Sequence, residues 1–381
     1  MLKIRYRFII QTFIKNPDAI IGIFLFIFAK KITLTTKHLF SSLPQQQRIN
    51  EIDILKGLVI SLMILSHTLH FFTKSTFIGD KIILISKLTS FSCFVFCFGF
   101  ACWKAYVDKA IPPRKKIFLT AAKIYTAYII SGCSYRLFVD KSLTFEESIN
   151  IFLFIDIPGY SEFLVFYFFI AIIIGLLATK IKAWMQSKKA LIITLLIVLT
   201  SFLLPSKSDF IPIIGVLFRG VKFPYFPVIP YLPIFIYGMY CAKNNVFPNF
   251  RFLKISIATI IVFALLIQVD IFRLKRFPPN PVWLTLCICF VNIFIFTIHK
   301  FFKISLENKL IQKLSQNFAS IGYNTLFCFL GSNILIFILS NYIEFEKYTL
   351  IGSLFVWILI MLILHYFHTI QNPKKIVSVN T

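Results

Sequence analysis

Along the chain, long apolar runs alternate with short connections rich in Lys and Arg. Ten runs stand out, near residues 52–72, 82–104, 117–137, 160–179, 190–204, 226–242, 253–272, 281–299, 318–340 and 349–368. About 20 apolar residues in a helix cross the hydrocarbon core of a bilayer, where backbone polar groups must be satisfied internally. The pattern predicts an all-α polytopic membrane protein of about ten transmembrane helices. A further apolar stretch, 19–29, is too short to span and is flanked by Lys15, Lys30 and Lys31. It suits a helix lying on the membrane surface, and it lacks the small-residue cleavage site of a signal peptide. Three regions are expected: a cytoplasmic segment 1–47 holding that surface helix, a membrane domain 48–370, and a cytoplasmic tail 371–381.

Composition agrees with this reading. Of 381 residues 58% are hydrophobic and 14% charged, with a mean hydropathy of +0.83. A soluble protein of this length has no core large enough to hide so much apolar surface. Charge then orients the spans. With the N-terminus inside, the cytoplasmic pieces carry 26 Lys and Arg and the outer loops 12, with Lys56 and Lys123 inside spans. That bias places both termini in the cytoplasm. The net charge of +25 is read as loops meeting anionic lipid, not as a nucleic-acid surface. The eight cysteines fall in or beside apolar runs and behave as small hydrophobes. Cys93 and Cys97 are four apart, but no His or carboxylate completes a metal set, so neither a metal site nor a disulfide framework is expected.

The first span carries the chemistry. Residues 48–72 include Arg48, Asp53, Lys56, His67 and His70. Steps of three and four through Asp53, Lys56, Ile60, Met63, His67 and His70 form one helical stripe. Lys56 and His67 lie on that stripe, about 16 Å apart along the axis. An ionisable group inside a span marks a functional site by default. Histidine, with an ordinary pKa near 6.5, is suited to take a proton at neutral pH. The alternatives are a structural histidine and a lysine that snorkels to the headgroups.

The segment IDILKGLVISLMILSH resembles the opening helix of the acyltransferase-3 superfamily of integral membrane acyltransferases. That pattern is an acidic residue, a basic residue, ten mostly apolar positions and a histidine, here Asp53, Lys56 and His67. Lysine in place of the commoner arginine resembles the branch of fucose O-acetylases. FSCFVFCFGFACWKAYVDK, RKKIFLTAAKIYTAYIISG, SEFLVFYFF, FPVIPYLPIFIYGMYCAKN and IGYNTLFCFLGSNILI resemble later segments. These are similar to the branch of the periplasmic glucan succinyltransferase and, more distantly, to heparan-α-glucosaminide acetyltransferases. The resemblance implies transfer of an acyl group from a cytoplasmic donor, usually acetyl-CoA, to a hydroxyl or amine of a glycan, with no permanently bound cofactor. The expected reaction is O-acylation of a cell-surface or lipid-linked glycan at the cytoplasmic membrane of a bacterium. The resemblance makes His67 the catalytic base and Lys56 the donor-binding cation. On the residues themselves Arg48 supports Lys56, Asp53 either orients or neutralises it, and His70, which the family pattern does not require, is either a second site group or an interfacial residue.

Other candidates follow from their positions. Arg114 opens a basic run with Lys115 and Lys116, read either as a topology signal or as a donor-phosphate contact. Lys123 lies inside the third span, must face protein or water, and is a better acyl-CoA-binding candidate than the run beside it. Glu162, on the outer side, either binds acceptor hydroxyls or simply suits a helix's first turn. In relatives a histidine often stands near Gly331 or Ser332, and that role is lost here. His38, His299, His365 and His368 read as loop or headgroup residues. Two other classes compete, a transporter or flippase of a glycan-related substrate and a noncatalytic membrane assembly protein. Against transport, the chain shows no symmetric pair of Gly/Pro-interrupted spans.

Overall fold

The structure, a computed structural model, describes residues 50–202, 212–218, 225–305, 307–342 and 349–371. Asn50–His368 form one compact unit, to which everything below refers. A second unit, Met1–Ile49 with Thr369–Thr381, falls almost wholly outside the described residues. There lie the surface helix expected at 19–29, Arg48, His38 and the tail beyond Gln371; the side chain of His368 is likewise not described.

Among the described residues there are thirteen α-helices and no strand. They are α1 (Asn50–Phe72), α2 (Phe77–Cys102), α3 (Arg114–Tyr135), α4 (Phe145–Phe152), α5 (Glu162–Trp184), α6 (Lys188–Ser201), α7 (Pro212–Phe218), α8 (Val228–Asn244), α9 (Phe250–Gln268), α10 (Pro281–Ser305), α11 (Lys309–Tyr323), α12 (Thr325–Tyr342) and α13 (Leu350–Gln371). Wider π turns extend α2 through Trp103–Val107 and α3 through Arg136–Asp140. Polar side chains start many of the helices. Thr76, Ser187, Asn249 and Asn308 accept from the orphan N–H groups of the turns that follow them.

Among the described residues eight helices are long and apolar enough to cross a membrane: α1, α2, α3, α5, α9, α10, α12 and α13. The chain is therefore an all-α polytopic membrane protein. The fifth and sixth expected spans appear as the shorter α6, of 14 residues, and α8, of 17. At 1.5 Å per residue α8 reaches about 25 Å, the lower limit for a span. The expected span 318–340 needs correction. It breaks at Asn324 into α11 and α12, and Asn324 itself leaves helical geometry (φ −110°, ψ 41°). The cause is the polar, amphipathic sequence KLIQKLSQNFAS, which α11 uses to lie against α1 instead of crossing as part of a longer rod. The outer stretch 138–159 also holds α4, started by a capping box between Thr144 and Glu147.

Helix α1 sits at the centre, against α2, α10, α11 and α12. Glycines allow the closest crossings. A Cβ on Gly57 would collide with the Phe318 carbonyl of α11, and one on Gly322 with the Asp53 carbonyl of α1. Gly99 of α2 and Gly238 of α8 meet the opposite backbone in the same way. On the periphery α6, α9 and α13 turn Ile192, Leu196, Ile255, Leu265, Phe355 and Leu362 outward. So much exposed apolar surface fits a lipid-facing belt. Lys104 bonds Asn245, Lys182 bonds the Asp108 carbonyl and Lys243 bonds the Met185 carbonyl. These bonds gather the C-terminal ends of α2, α5 and α8 at one end of the molecule. The pairing of His299 with Glu51 joins the end of α10 to the start of α1.

Candidate active site

Helix α1 carries two polar centres, one near each end. At its start Lys56 Nζ lies 2.6 Å from Asp53 Oδ1, and both side chains keep some exposure. The pair sits at the Gly57–Gly322 crossing, so α11 presses on the backbone that presents it. One turn earlier Glu51 Oε1 lies 3.2 Å from His299 Nδ1, whose ring stacks on Phe247 at 5.7 Å. His299 is thus a packed member of α10 and not the loop or headgroup residue expected, because α10 runs on to Ser305.

The second centre is a cavity of about 270 Å³ at the other end of α1. Its walls come from α1, from α2 between Ile83 and Phe94, from the segment entering α5, and from Phe226 and Arg276. His67 lines it. The ring Nδ1 lies 3.2 Å from Asn333 Oδ1 on α12. Asn333 in turn donates from Nδ2 to the Tyr160 carbonyl at 3.1 Å and reaches Ser131 Oγ at 3.3 Å. A backbone carbonyl only accepts, so it fixes the amide with Oδ1 towards His67. Nδ1 must then carry the hydrogen and donate it, which leaves Nε2 with the lone pair. A neutral imidazole in this tautomer is ready to act as a base.

Tyr160 holds this arrangement in place. Its backbone is left-handed, φ 64°, an uncommon state for a bulky residue. Its ring packs edge-on to His67 with centroids 4.7 Å apart, and it also touches Phe71, Tyr135 and Phe337. The segment is anchored upstream, where Arg136 binds Asp156 at 2.7 Å and the Tyr128 hydroxyl donates to the Asp156 carbonyl at 3.0 Å. Burial pushes the Tyr160 phenol above its ordinary range, so it remains an O–H at neutral pH.

Three ionisable side chains complete the cavity: Lys87, Glu162 and Arg276. The Glu162 carboxylate opens α5 and is approached by the backbone N–H groups of Tyr160, Ser161 and its own residue. Arg276 lies over the faces of Phe277, at 4.4 Å, and Phe226, at 5.5 Å. Burial pulls its guanidinium below the ordinary range, against the pull of Tyr231 and Glu162. Four buried side-chain polar atoms among the described residues have no hydrogen-bond partner: Glu51 Oε2, Glu162 Oε2, Tyr167 Oη and Arg276 Nε. Two of these four, Glu162 Oε2 and Arg276 Nε, belong to residues of the cavity wall, and each buried unpaired atom in a native fold calls for a physical explanation.

The structure brings together His67, His70 and Glu162 of the residues singled out in the sequence. His70 is exposed and its ring lies 6.1 Å from that of Tyr160. It does not bring Lys56 and Asp53 to the same cavity; they stand at the far end of α1. Met63 and Phe94 line the cavity wall, and Met63 lies on the stripe between Lys56 and His67. Arg114 is exposed in the first turn of α3. Lys123 lies on the exposed side of α3 and does not line the His67 cavity. Helix α3 packs through Ile117, Ala121, Ile124 and Tyr128, which puts Lys123 on the outer face, where its long stem can carry the ammonium towards the headgroups. Sequence reasoning missed Lys87, Tyr160, Arg276 and Asn333. Asn333 carried a readable signal, a polar amide inside an apolar run. Lys87 and Arg276 read only as loop charges.

A model of the catalytic region of heparan-alpha-glucosaminide N-acetyltransferase matches residues 48–256, more than half of the chain. The matched stretch includes Lys56, His67, His70, Lys87 and Glu162 and ends before Arg276 and Asn333. No match to an individual curated protein was found.

Proposed function

The chain belongs to the family of heparan-alpha-glucosaminide N-acetyltransferase catalytic domains, a family of membrane acetyltransferases, and from this premise we propose a specific reaction. The enzyme moves an acetyl group from cytoplasmic acetyl-CoA to a hydroxyl of a cell-surface or lipid-linked glycan, as the resemblance to the acyltransferase-3 superfamily implies. One observation carries the reading: the Tyr160–Asn333–His67 chain presents a neutral imidazole to a cavity at the end of α1 opposite the Lys56–Asp53 pair.

In this mechanism the donor's phosphates meet the basic end of the molecule, with Lys56 as a point charge held by Asp53. The pantetheine arm covers the roughly 16 Å between Lys56 and His67 and delivers the thioester past Met63. His67 Nε2 takes the acceptor proton as the oxygen attacks the thioester carbonyl. The tetrahedral intermediate collapses, the C–S bond breaks, and the leaving thiolate recovers the proton from the imidazolium. Asn333 Oδ1 supports the charged ring while it exists. Lys87 and Arg276 outnumber Glu162, and that excess of cation favours a neutral hydroxyl over an ammonium group as the acceptor.

The test uses the full chain in proteoliposomes with radiolabelled acetyl-CoA and a panel of hydroxyl- and amine-bearing glycans, following release of free CoA and labelled glycan. Transfer is expected, with the label freed by alkaline hydroxylamine as an ester is and an amide is not. His67→Gln should lower the rate by about 10²- to 10⁴-fold, the ordinary contribution of a general base. Unchanged transfer in that variant would overturn the assignment of His67. Hydroxylamine-stable label would move the acceptor to an amine.

A further inference from the structure

The cavity holds more positive charge than its own carboxylate can balance. Its ionisable walls are Lys87 and Arg276 against Glu162, with His67 and His70 neutral in their ordinary working state. Among the described residues no ion pair joins Arg276 to Glu162 or to any other carboxylate, although the two share the same wall. Arg276 Nε and Glu162 Oε2 are both buried without a hydrogen-bond partner. A buried guanidinium nitrogen facing a cavity with no acceptor of its own is a place where an anionic oxygen can complete the set.

Arg276 is also held as a ligand-binding arginine would be. Its guanidinium carbon sits over the rings of Phe277 and Phe226 while Nε is left unpaired, and a guanidinium fork can meet two oxygens of one anion at once. Its loop is tied down at the entrance to α10. There Asn280 Nδ2 donates to the Arg273 carbonyl at 2.6 Å, and Asn280 Oδ1 accepts from Trp283 N at 2.9 Å. Glu162 offers the complementary function, an acceptor for sugar hydroxyls. The volume of about 270 Å³ lies at the small end of ligand sites and suits one sugar-sized group, not a whole acyl-CoA.

We infer that the acceptor is an acidic glycan unit, whose carboxylate or phosphate oxygens bind Arg276 while Glu162 accepts from a neighbouring hydroxyl. Lys87 adds a second positive charge to the same anion-binding wall. This deepens the proposed function and rests on it for the word acceptor, but the binding claim stands separately. The shared chemistry is an anionic oxygen group, and its two sources are an acidic sugar and a phosphorylated one.

The experiment pairs acceptors that differ only in the anion: methyl glucuronide against methyl glucoside, and glucose 1-phosphate against methyl glucoside. Full-length protein in proteoliposomes is assayed with each, and thermal stabilisation by each is measured without donor. A preference of tenfold or more in kcat/KM for one anionic member is expected, the glucuronide identifying a carboxylate and the glucose phosphate a phosphate. Arg276→Gln should lose that preference at least tenfold, and Arg276→Lys should keep part of it. Should the variants fail to fold, selective stabilisation of the unaltered protein by the anionic sugars carries the test. Equal rates and equal stabilisation with neutral and anionic sugars would overturn the inference while leaving acetyl transfer intact. A rise in KM for acetyl-CoA alone would overturn it too, by giving Arg276 to the donor. Arg276-dependent binding of the anionic sugar without transfer to any acceptor would support the site and sink the proposed reaction instead.

Discussion

At the residue scale, the amide of Asn333 decides what His67 can do. Its Oδ1 receives the Nδ1 hydrogen only because its other end is committed to the Tyr160 carbonyl. Asn333→Leu keeps the volume of the side chain and removes that acceptor. We predict a fall in kcat of about 10- to 100-fold with KM for acetyl-CoA unchanged, more than one neutral hydrogen bond is worth because the tautomer is also lost. Steady-state kinetics on the purified variant would show this; equal loss in KM and kcat would point to a general disturbance of packing. His67 and Asn333 were both legible in the chain as polar groups inside apolar runs. Arg276 was not, because a charge in the stretch FRLKRFPPN gives no sign of turning inward until Phe226 and Phe277 are seen around it.

At the element scale, two glycine crossings set how closely α1 meets α11 and α2 meets α8. The neighbour at Gly57 is the Phe318 carbonyl, fixed backbone that cannot rotate away. At Gly331 the nearest atom to an added Cβ is Leu364 Cδ2, at 3.1 Å, the end of a flexible side chain. Gly57→Ala should therefore destabilise the protein by about 1–3 kcal/mol, while Gly331→Ala changes it by well under 1 kcal/mol. Thermal unfolding in detergent compares the two, and equal effects would mean that α11 does not lie where it is placed. Apolar periodicity alone merged α11 and α12 into one run from 318 to 340. The break at Asn324 separates polar, amphipathic α11 from apolar α12, and beside it Gly322 packs against the Asp53 carbonyl, a contact between residues remote in sequence.

At the scale of the whole molecule, the two ends differ in charge, and the proposed reaction gives them different tasks. Lysines such as Lys109, Lys188 and Lys303 lie at the end that starts α1, whereas Lys74 and Lys141 lie beyond the ends of α1 and α3. The positive-inside bias assigns the first group to the cytoplasm. A membrane-impermeant amine reagent applied to intact cells should modify Lys74 and Lys141, and should reach Lys109, Lys188 and Lys303 only after the membrane is opened. Mass spectrometry of the labelled peptides reads the result. The reverse pattern would put the His67 cavity on the donor's side and end the proposed route through the membrane.

The sequence alone determined that the chain is a helical membrane protein, where most of its spans lie, and that α1 carries a stripe of ionisable side chains. Those features follow from local quantities, the length of apolar runs, the helical period and the bias of charge, each readable without knowing what packs on what. Tertiary structure alone decided which polar groups meet. It placed Glu162 beside His67, kept Lys56 with Asp53 at the far end, turned Lys123 outward, and drew in Asn333 and Arg276 from more than 200 residues away. The physical reason is that a cavity depends on chain closure. Its charge balance and its unpaired atoms are sums over helices that only packing brings together, and no single stretch of sequence contains them.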